Sequence, residues 1–402
     1  MTLTTDTSVI IIGAGPAGLI AARRLEELNI SYILLSREST PGIDKACGGY
    51  VPSRSLEEFN LENIPGAYPI KSIRMKFPGL EVKKVGFENP VGVNVSREKL
   101  GRMLLSSIPQ STGEIWLDTE CNWIEVSKDS CTIQYTKENI RESISCQILI
   151  DASGANPASQ RTSIVRERPP NDQLGYAVQY QMKCKESLPG TNDFFYGSEF
   201  SPRGYAWNFP RDRETVVGTG GLVNKVRESE RRAFDYLNHL INDVEPISRE
   251  LETVGAEIVK KEAALMPLAG IVSPSYGNRI LLSGDAACHC SPISGEGIHY
   301  SMIGGLKAAQ TAARCLKNGD FSNRALSHYE REWTKAFGSD LKWGLWLQKR
   351  FLESGSSSIG STFLSSDKST RVIAEMLAGV RSVRSTILAA APGYLLSKIR
   401  RK

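Results

Sequence analysis

Gly13-Ala14-Gly15-Pro16-Ala17-Gly18 is a G-x-G-x-x-G run, a spacing that can cradle a pyrophosphate. The first glycine permits a tight turn, the second lets the backbone approach the phosphates, and the third lets a helix pack closely on a strand. Phosphate then sits at a helix N-terminus, where N–H groups and the helix dipole favour negative charge. The flanking sequence has the context the motif needs. Val9 to Ile12 reads as a strand buried on both faces, Leu19 to Leu28 as a helix, and Ser31 to Leu35 as the next strand. Ser36-Arg37-Glu38 stands where an acidic residue usually holds the adenosine ribose. Ser36 as a weaker contact, Glu38 as a substitute, and Arg37 as a partner for a 2′-phosphate are all open from these residues.

A second segment has the chemistry of a nucleotide site. Leu282-Ser283-Gly284-Asp285-Ala286-Ala287 follows a buried strand, Arg279 to Leu282. Pro292-Ile293-Ser294-Gly295-Glu296-Gly297-Ile298 then opens a helix running to about Leu316. The carboxylate of Asp285 can accept from ribityl or ribose hydroxyls. The helix start at Gly295, Gly297 and Ile298 can face a ring edge that becomes anionic on reduction.

These motifs, with Asp151-Ala152-Ser153-Gly154 between them, resemble the flavoprotein superfamily that includes the aromatic hydroxylases. The resemblance implies bound FAD. Further segments are similar to the geranylgeranyl reductase family. Lys45-Ala46-Cys47-Gly48-Gly49 resembles its cysteine-glycine-glycine segment, and Tyr205-Ala206-Trp207-Asn208-Phe209-Pro210 resembles its Y-x-W-x-F-P pattern. Ser96-Arg97-Glu98 resembles its arginine-bearing helix start, which implies that Arg97 contacts FAD. Where the family commonly has glycine after Gly-Asp-Ala-Ala, this chain has Cys288-His289-Cys290.

The resemblance implies reduction of carbon–carbon double bonds in a geranylgeranyl or polyprenyl chain carried by a lipid or a diphosphate. Cys47 is then the candidate for protonating the alkene or shaping the site, against a packed structural cysteine. A neutral thiol with a pKa of about 8.5 is a weak acid for that task. Tyr205, Trp207 and Phe209, with Pro210, read as an aromatic wall for the prenyl chain, against a plain sheet core. Cys288, His289, Cys290 and His299 lack further convergent ligands, so no metal is expected. The role of Cys288 and Cys290 is undetermined at this level. The electron donor, NADPH or a reduced ferredoxin, is undetermined as well.

The elements that must position these groups follow. The expected fold class is α/β: a discontinuous Rossmann-like FAD-binding domain, an antiparallel β-sheet substrate domain, and C-terminal helices. The expected boundaries are 1–70, 96–170 and 275–320 for FAD, 71–95 and 171–274 for the sheet, and 321–402 for the helices. Short alternating runs at Gln179 to Met182 and Thr215 to Val217 suit the sheet. Gln147 to Ile150 reads as a strand; Ser96 to Ser107 and Glu228 to Asp243 read as helices. Trp333, Trp343, Trp346 and Leu347 are spaced for one helical face, and Gly355 to Ser358 reads as a linker.

Composition bounds the alternatives. The 402 residues carry a net charge of +5 with 41% hydrophobic and 23% charged residues, ordinary globular usage without the basic blocks of a nucleic-acid protein. Eight cysteines without a Cys-x-x-Cys imply free thiols in a reducing compartment, so the expected location is cytoplasmic. No secretory leader or transit segment is read at the start, which favours a prokaryotic, archaeal-type lipid enzyme. The stretch Ser385 to Ser397 is too short to span a bilayer. With the basic tail Lys398 to Lys402 it suggests peripheral membrane contact. The competing readings are a flavin monooxygenase or halogenase, and a non-catalytic flavin- or lipid-binding protein.

Overall fold

The computed structural model describes residues 6–162, 165–353 and 366–389. The expected linker Gly355 to Ser358 and basic tail lie outside the described residues, as does most of the apolar stretch before that tail. The chain divides into two compact units. The first holds Met1–Ile43, Arg97–Pro169 and Ala269–Lys342; the second holds Asp44–Ser96, Pro170–Leu268 and Trp343–Lys402.

Strands and helices are numbered along the chain. In the first unit, β1 (Thr7–Ile12) lies between β2 (Tyr32–Leu35) and β11 (Ile140–Asp151), parallel to both. Parallel pairs extend outward to β8 (Gly113–Trp116) beyond β2 and to β18 (Ile280–Leu282) beyond β11. Val9, Ile10 and Ile11 have no exposed surface, as a centre strand of a two-sided sheet requires. Helix α1 (Pro16–Glu27) packs against α7 (Ile298–Asn318). It opens at Pro16, earlier than expected, because proline at the first helical position loses no needed N–H.

Strand β11 is longer than the four residues expected of it. Its first half carries exposed Arg141 and Glu142 and pairs antiparallel with β10 (Cys131–Lys137), which pairs with β9 (Thr119–Val126). Only the second half, buried on both faces, gives the continuous apolar signal.

The second unit is built on a sheet ordered β16 (Glu257–Pro267), β12 (Leu174–Lys183), β15 (Glu214–Leu222), β14 (Tyr205–Arg211), β13 (Thr191–Tyr196), β5 (Ser72–Lys76), β6 (Lys83–Gly86). The pairs are antiparallel except β13 with β5. A small sheet of β3 (Tyr50–Pro52), β7 (Gly92–Asn94) and β4 (Tyr68–Ile70) joins the same unit. Residues 44–70 therefore belong with the second unit, whereas the expected layout gave them to the first. Residues 321–342 belong to the first unit, where Tyr329 donates to the Leu282 carbonyl at 2.6 Å.

One face of the large sheet carries Tyr176, Val178, Tyr180, Phe195, Ala206 and Val217 against α5 (Ala233–Asp243) and α6 (Ile247–Thr253). The expected helix from Glu228 starts instead at Ala233, where Asp235 Oδ2 accepts from the Arg232 N–H at 2.9 Å and caps it. The C-terminal helices also differ from expectation. A π-helical turn, Thr334–Gly338, separates α8 (Asn323–Trp333) from α9 (Ser339–Glu353). Trp333 is fully buried while Trp346 is 43% exposed, so the two do not share one face: at about 100° per residue the thirteen positions between them already turn the helix well past its opposite side.

Candidate active site

The first unit carries the glycine turn between β1 and α1. Gly13 has φ of +103°, and a Cβ there would lie 2.5 Å from the Ala152 carbonyl oxygen. A Cβ on Gly18 would lie 1.9 Å from the Gly13 carbonyl oxygen, so the helix and the turn touch backbone to backbone. Gly15 is different: nothing lies within 4 Å of the place a Cβ would take. The helix start at Pro16 and Ala17 has no side-chain cap and no acidic residue in its first turn. An open second glycine before an uncapped helix suits a phosphate group supplied from outside.

The other predicted cofactor residues of this unit divide in two. Arg97 begins α3 (Arg97–Ser106), and its Nε is buried without a hydrogen-bond partner, as a donor awaiting a ligand would be. Asp285 lies in a single turn, Gly284–Ala287, and a Cβ on Gly297 would be 3.7 Å from its Oδ1. Gly295, with φ of +68°, and Gly297 lead directly into α7 at Ile298. Ser36 is buried at the end of β2, and its Oγ accepts from the Glu38 N–H at 3.4 Å; Arg37 is exposed. Asp151, fully buried, is satisfied by Ser153 and Ser159 through backbone and hydroxyl donors at 2.5 to 3.0 Å. That bracing fixes the turn at Ala152 against which Gly13 closes.

Cys288, His289 and Cys290 diverge. Arg166 donates to Cys288 Sγ at 3.5 Å. The His289 ring is fully buried beside Trp333 and Phe337, with centroids 4.7 and 5.0 Å away, and neither ring nitrogen has a partner. Burial, with Arg166 nearby, pushes its pKa down to about 3. Among the described residues no group of three His, Cys, Asp or Glu is placed to share a metal ion.

The second unit carries the thiol and the aromatic strand. Tyr205, Trp207 and Phe209 share one face of β14, as alternation requires, and pack with Phe194 and Met75. The Phe194 ring lies 5.6 Å from that of Tyr205 and 5.2 Å from that of Phe209. Trp207 lies over Gly218 of the neighbouring strand, where a Cβ would come within 2.2 Å of the indole; its Nε1 is buried and unpartnered. The alternate residue Asn208 points to the opposite face. There it joins Asp193 and Thr215, at 3.1 and 2.6 Å, in a buried network centred on Arg74. The Pro210 carbonyl accepts from Asn94 at 2.7 Å.

The Cys47 loop lies on the aromatic face. A Cβ on Gly48 would come 2.4 Å from the Phe209 ring, and the Val95 N–H donates to the Gly49 carbonyl at 3.0 Å. The Gly49 N–H reaches Cys47 Sγ at 3.4 Å. Arg211, Gln179 and Glu262 were not among the residues expected here, yet all three surround this loop. Arg211 had a legible signal: it is two residues beyond Phe209 and so falls on the same face. Gln179 and Glu262 had none, since only the pairing of β12 with β16 sets them opposite each other.

A family model described as geranylgeranyl reductase catalytic domain matches residues 174–259, and one described as lycopene cyclase protein matches residues 8–183. A digeranylgeranylglycerophospholipid reductase of Methanocella arvoryzae is 27% identical over 344 residues, 84% of this chain and 85% of that one. In fold, the chain is similar to a geranylgeranyl bacteriochlorophyll reductase-like protein of Thermoplasma acidophilum, with a TM-score of 0.80 and 19% identity, covering 96% and 95% of the two chains. A flavin-dependent brominase has the same fold at a TM-score of 0.72 and 16% identity, covering 98% of this chain and 100% of that one.

Proposed function

The chain belongs to the geranylgeranyl reductase family, and from that premise we propose that it is an FAD-dependent reductase of carbon–carbon double bonds in a geranylgeranyl or polyprenyl chain of a membrane-lipid precursor. The observation that supports this reading best is the Cys47 loop packed on the aromatic face of β14, within the unit that contains the matched catalytic segment. Reduced FAD, when bound, supplies a hydride to one alkene carbon.

The residues of the chain supply the rest. Gly13, Gly15, Pro16, Ala17 and Gly18 hold the pyrophosphate at the start of α1. Ser36 and Arg37 face the adenosine end, and Arg97, Asp285, Gly295, Gly297 and Ile298 hold the remainder of the cofactor, with Gly48 and Gly49 completing its surroundings. Tyr205, Trp207, Phe209 and Pro210 accept the prenyl chain, whose burial contributes about 0.8 kcal/mol per CH₂ group. Cys47 Sγ gives a proton to the second alkene carbon. The unit also excludes water and orients the chain, so that hydride and proton arrive together. Electrons reach the flavin from NADPH or a reduced ferredoxin. The polyprenyl substrate brings the protein to a membrane surface, and among the described residues no helix is long and apolar enough to cross a bilayer.

The test is mass spectrometry of geranylgeranyl diphosphate and a digeranylgeranyl glycerolipid after anaerobic incubation with the dithionite-reduced protein. The expected result is a mass gain of one dihydrogen per reduced double bond. Cys47→Ala is expected to slow the gain by about 10²-fold or more with FAD content unchanged. Unaltered lipids, with reduced flavin that oxidises rapidly once air is admitted, would favour the monooxygenase or halogenase chemistry instead.

A further inference from the structure

Cys288 is held in the left-handed region at φ +62°, a conformation unfavourable for a residue with a Cβ. Such a backbone persists only where its surroundings over-determine it. Two side chains do so here. Arg166 donates to the Ala286 carbonyl at 3.0 Å and to Cys288 Sγ at 3.5 Å. The second is the next residue, His289, which has no exposed surface.

The place of the His289 ring is built by α7, α8 and the π-helical turn. Gly304 of α7 leaves room for it, since a Cβ there would lie 2.4 Å from Nδ1. Trp333 and Phe337 stack on each other at 5.3 Å and 26°, and both face the imidazole. The walls are pinned in turn: Trp333 Nε1 donates to Ser275 Oγ at 2.9 Å, and the Tyr329 ring lies 6.5 Å from that of His289. Phe337 belongs to the π-helical turn, a distortion frequent at functional sites. Neither imidazole nitrogen has a hydrogen-bond partner, so the ring is held by shape and not by a polar contact.

The backbone of the same residue faces both ends of the cofactor loop. Its N–H donates to the Gly284 carbonyl at 3.0 Å, one residue before Asp285. A Cβ on Gly297, at the start of α7, would lie 3.6 Å from the His289 carbonyl oxygen, 3.7 Å from Asp285 Oδ1 and 3.8 Å from Cys290 Sγ.

We propose that His289 is a positioning residue for the flavin: its ring anchors the Asp285–Gly297 loop to α8 and the π-helical turn, and its backbone sets the spacing between the Asp285 carboxylate and the N-terminus of α7. This rests on the reading of that loop as part of the FAD site. A helix N-terminus favours negative charge, so its placement tunes how readily a flavin accepts electrons. Trp333 and Phe337 then act on the cofactor through His289.

The experiment measures FAD affinity, by flavin fluorescence on dilution, and the flavin midpoint potential, by anaerobic dye-coupled titration, on variants well below their melting temperatures. His289→Ala is expected to raise the Kd for FAD about tenfold. It is also expected to lower the potential, by about 30 mV for each tenfold by which reduced FAD loses more affinity than oxidised FAD. Cys288→Gly in that background removes the left-handed strain and is expected to return part of the affinity. A ring that only fills space would leave a less stable His289→Ala with the parent's Kd and potential, and that result overturns the proposal. If His289→Ala does not fold, Phe337→Leu trims the wall outside the loop and is expected to raise the Kd; an unchanged Kd there overturns the proposal. Asp285→Asn separates the two readings. A raised Kd in Asp285→Asn beside parent values in His289→Ala removes the anchor alone. An unchanged Kd in Asp285→Asn removes the loop from the FAD site, and the proposal with it.

Discussion

The two glycine turns of this protein are closed by different means. Around Gly13 and Gly18 the neighbours are backbone: the Ala152 carbonyl on one side and the turn's own carbonyl on the other. Around Gly48 the neighbour is the ring of Phe209, and around Gly49 an Arg211 nitrogen lies 2.9 Å from where a Cβ would be, together with the Val95 carbonyl. The first turn is a backbone device that any strand–helix junction of this kind can build. The second depends on particular side chains from a strand some 160 positions away. A backbone device tolerates changes around it; a loop held by side chains is only as fixed as those side chains.

Three measurements sharpen this contrast. The largest effect is expected in the first unit, at a side chain and not at its turn. His289 has a folded pKa of about 3 against an ordinary 6.5. A lowered histidine pKa means the unfolded chain binds more protons between those values, so stability is full above pH 6.5 and falls as pH drops towards 3. The slope is about 1.4 kcal/mol per pH unit. Denaturant melts at pH 7, 6 and 5 should show it, and His289→Leu should flatten it; an unaltered slope would assign the acid sensitivity to carboxylates.

The middle effect concerns the loop held by side chains. Gly48→Ala must displace Phe209 and is expected to cost about 1–3 kcal/mol in thermal or denaturant melts. Alkene reduction should fall with it. A variant as stable as the parent would mean that Phe209 moves freely, and that the loop is not fixed by it.

The smallest effect on stability is expected at Gly15, where the space is open and φ is −76°. Gly15→Ala should melt within about 0.5 kcal/mol of the parent. Its FAD affinity, measured by flavin fluorescence on dilution, should nonetheless fall under the proposed reading, in which that open space is where the cofactor's pyrophosphate approaches the backbone. Unchanged FAD affinity would remove Gly15 from the cofactor cradle.

Much of the first unit was legible because its signals are local. The β-branched run Val9 to Ile12 is a centre strand, and G-x-G-x-x-G follows it within the reach of one turn. The aromatic alternation of Tyr205, Trp207 and Phe209 was readable for the same reason, since period two places them on one face whatever lies around. The same rule reached Arg211, but a charged residue at a strand end is ordinarily a solvated one. The antiparallel half of β11 was missed because exposed polar positions dilute its alternation.

By itself the sequence determined what each short segment can be: a phosphate-binding turn after a buried strand, a thiol among glycines, a strand with one aromatic face. These follow from backbone sterics and periodicities that act within a few residues. Only the tertiary structure decided which segments meet. It buried Arg211 over the Cys47 loop, set Gln179 against Glu262, and left His289 neutral among aromatic rings. The reason is that burial and strand pairing join residues far apart in the chain, and the charge state of a group depends on the neighbours that pairing brings.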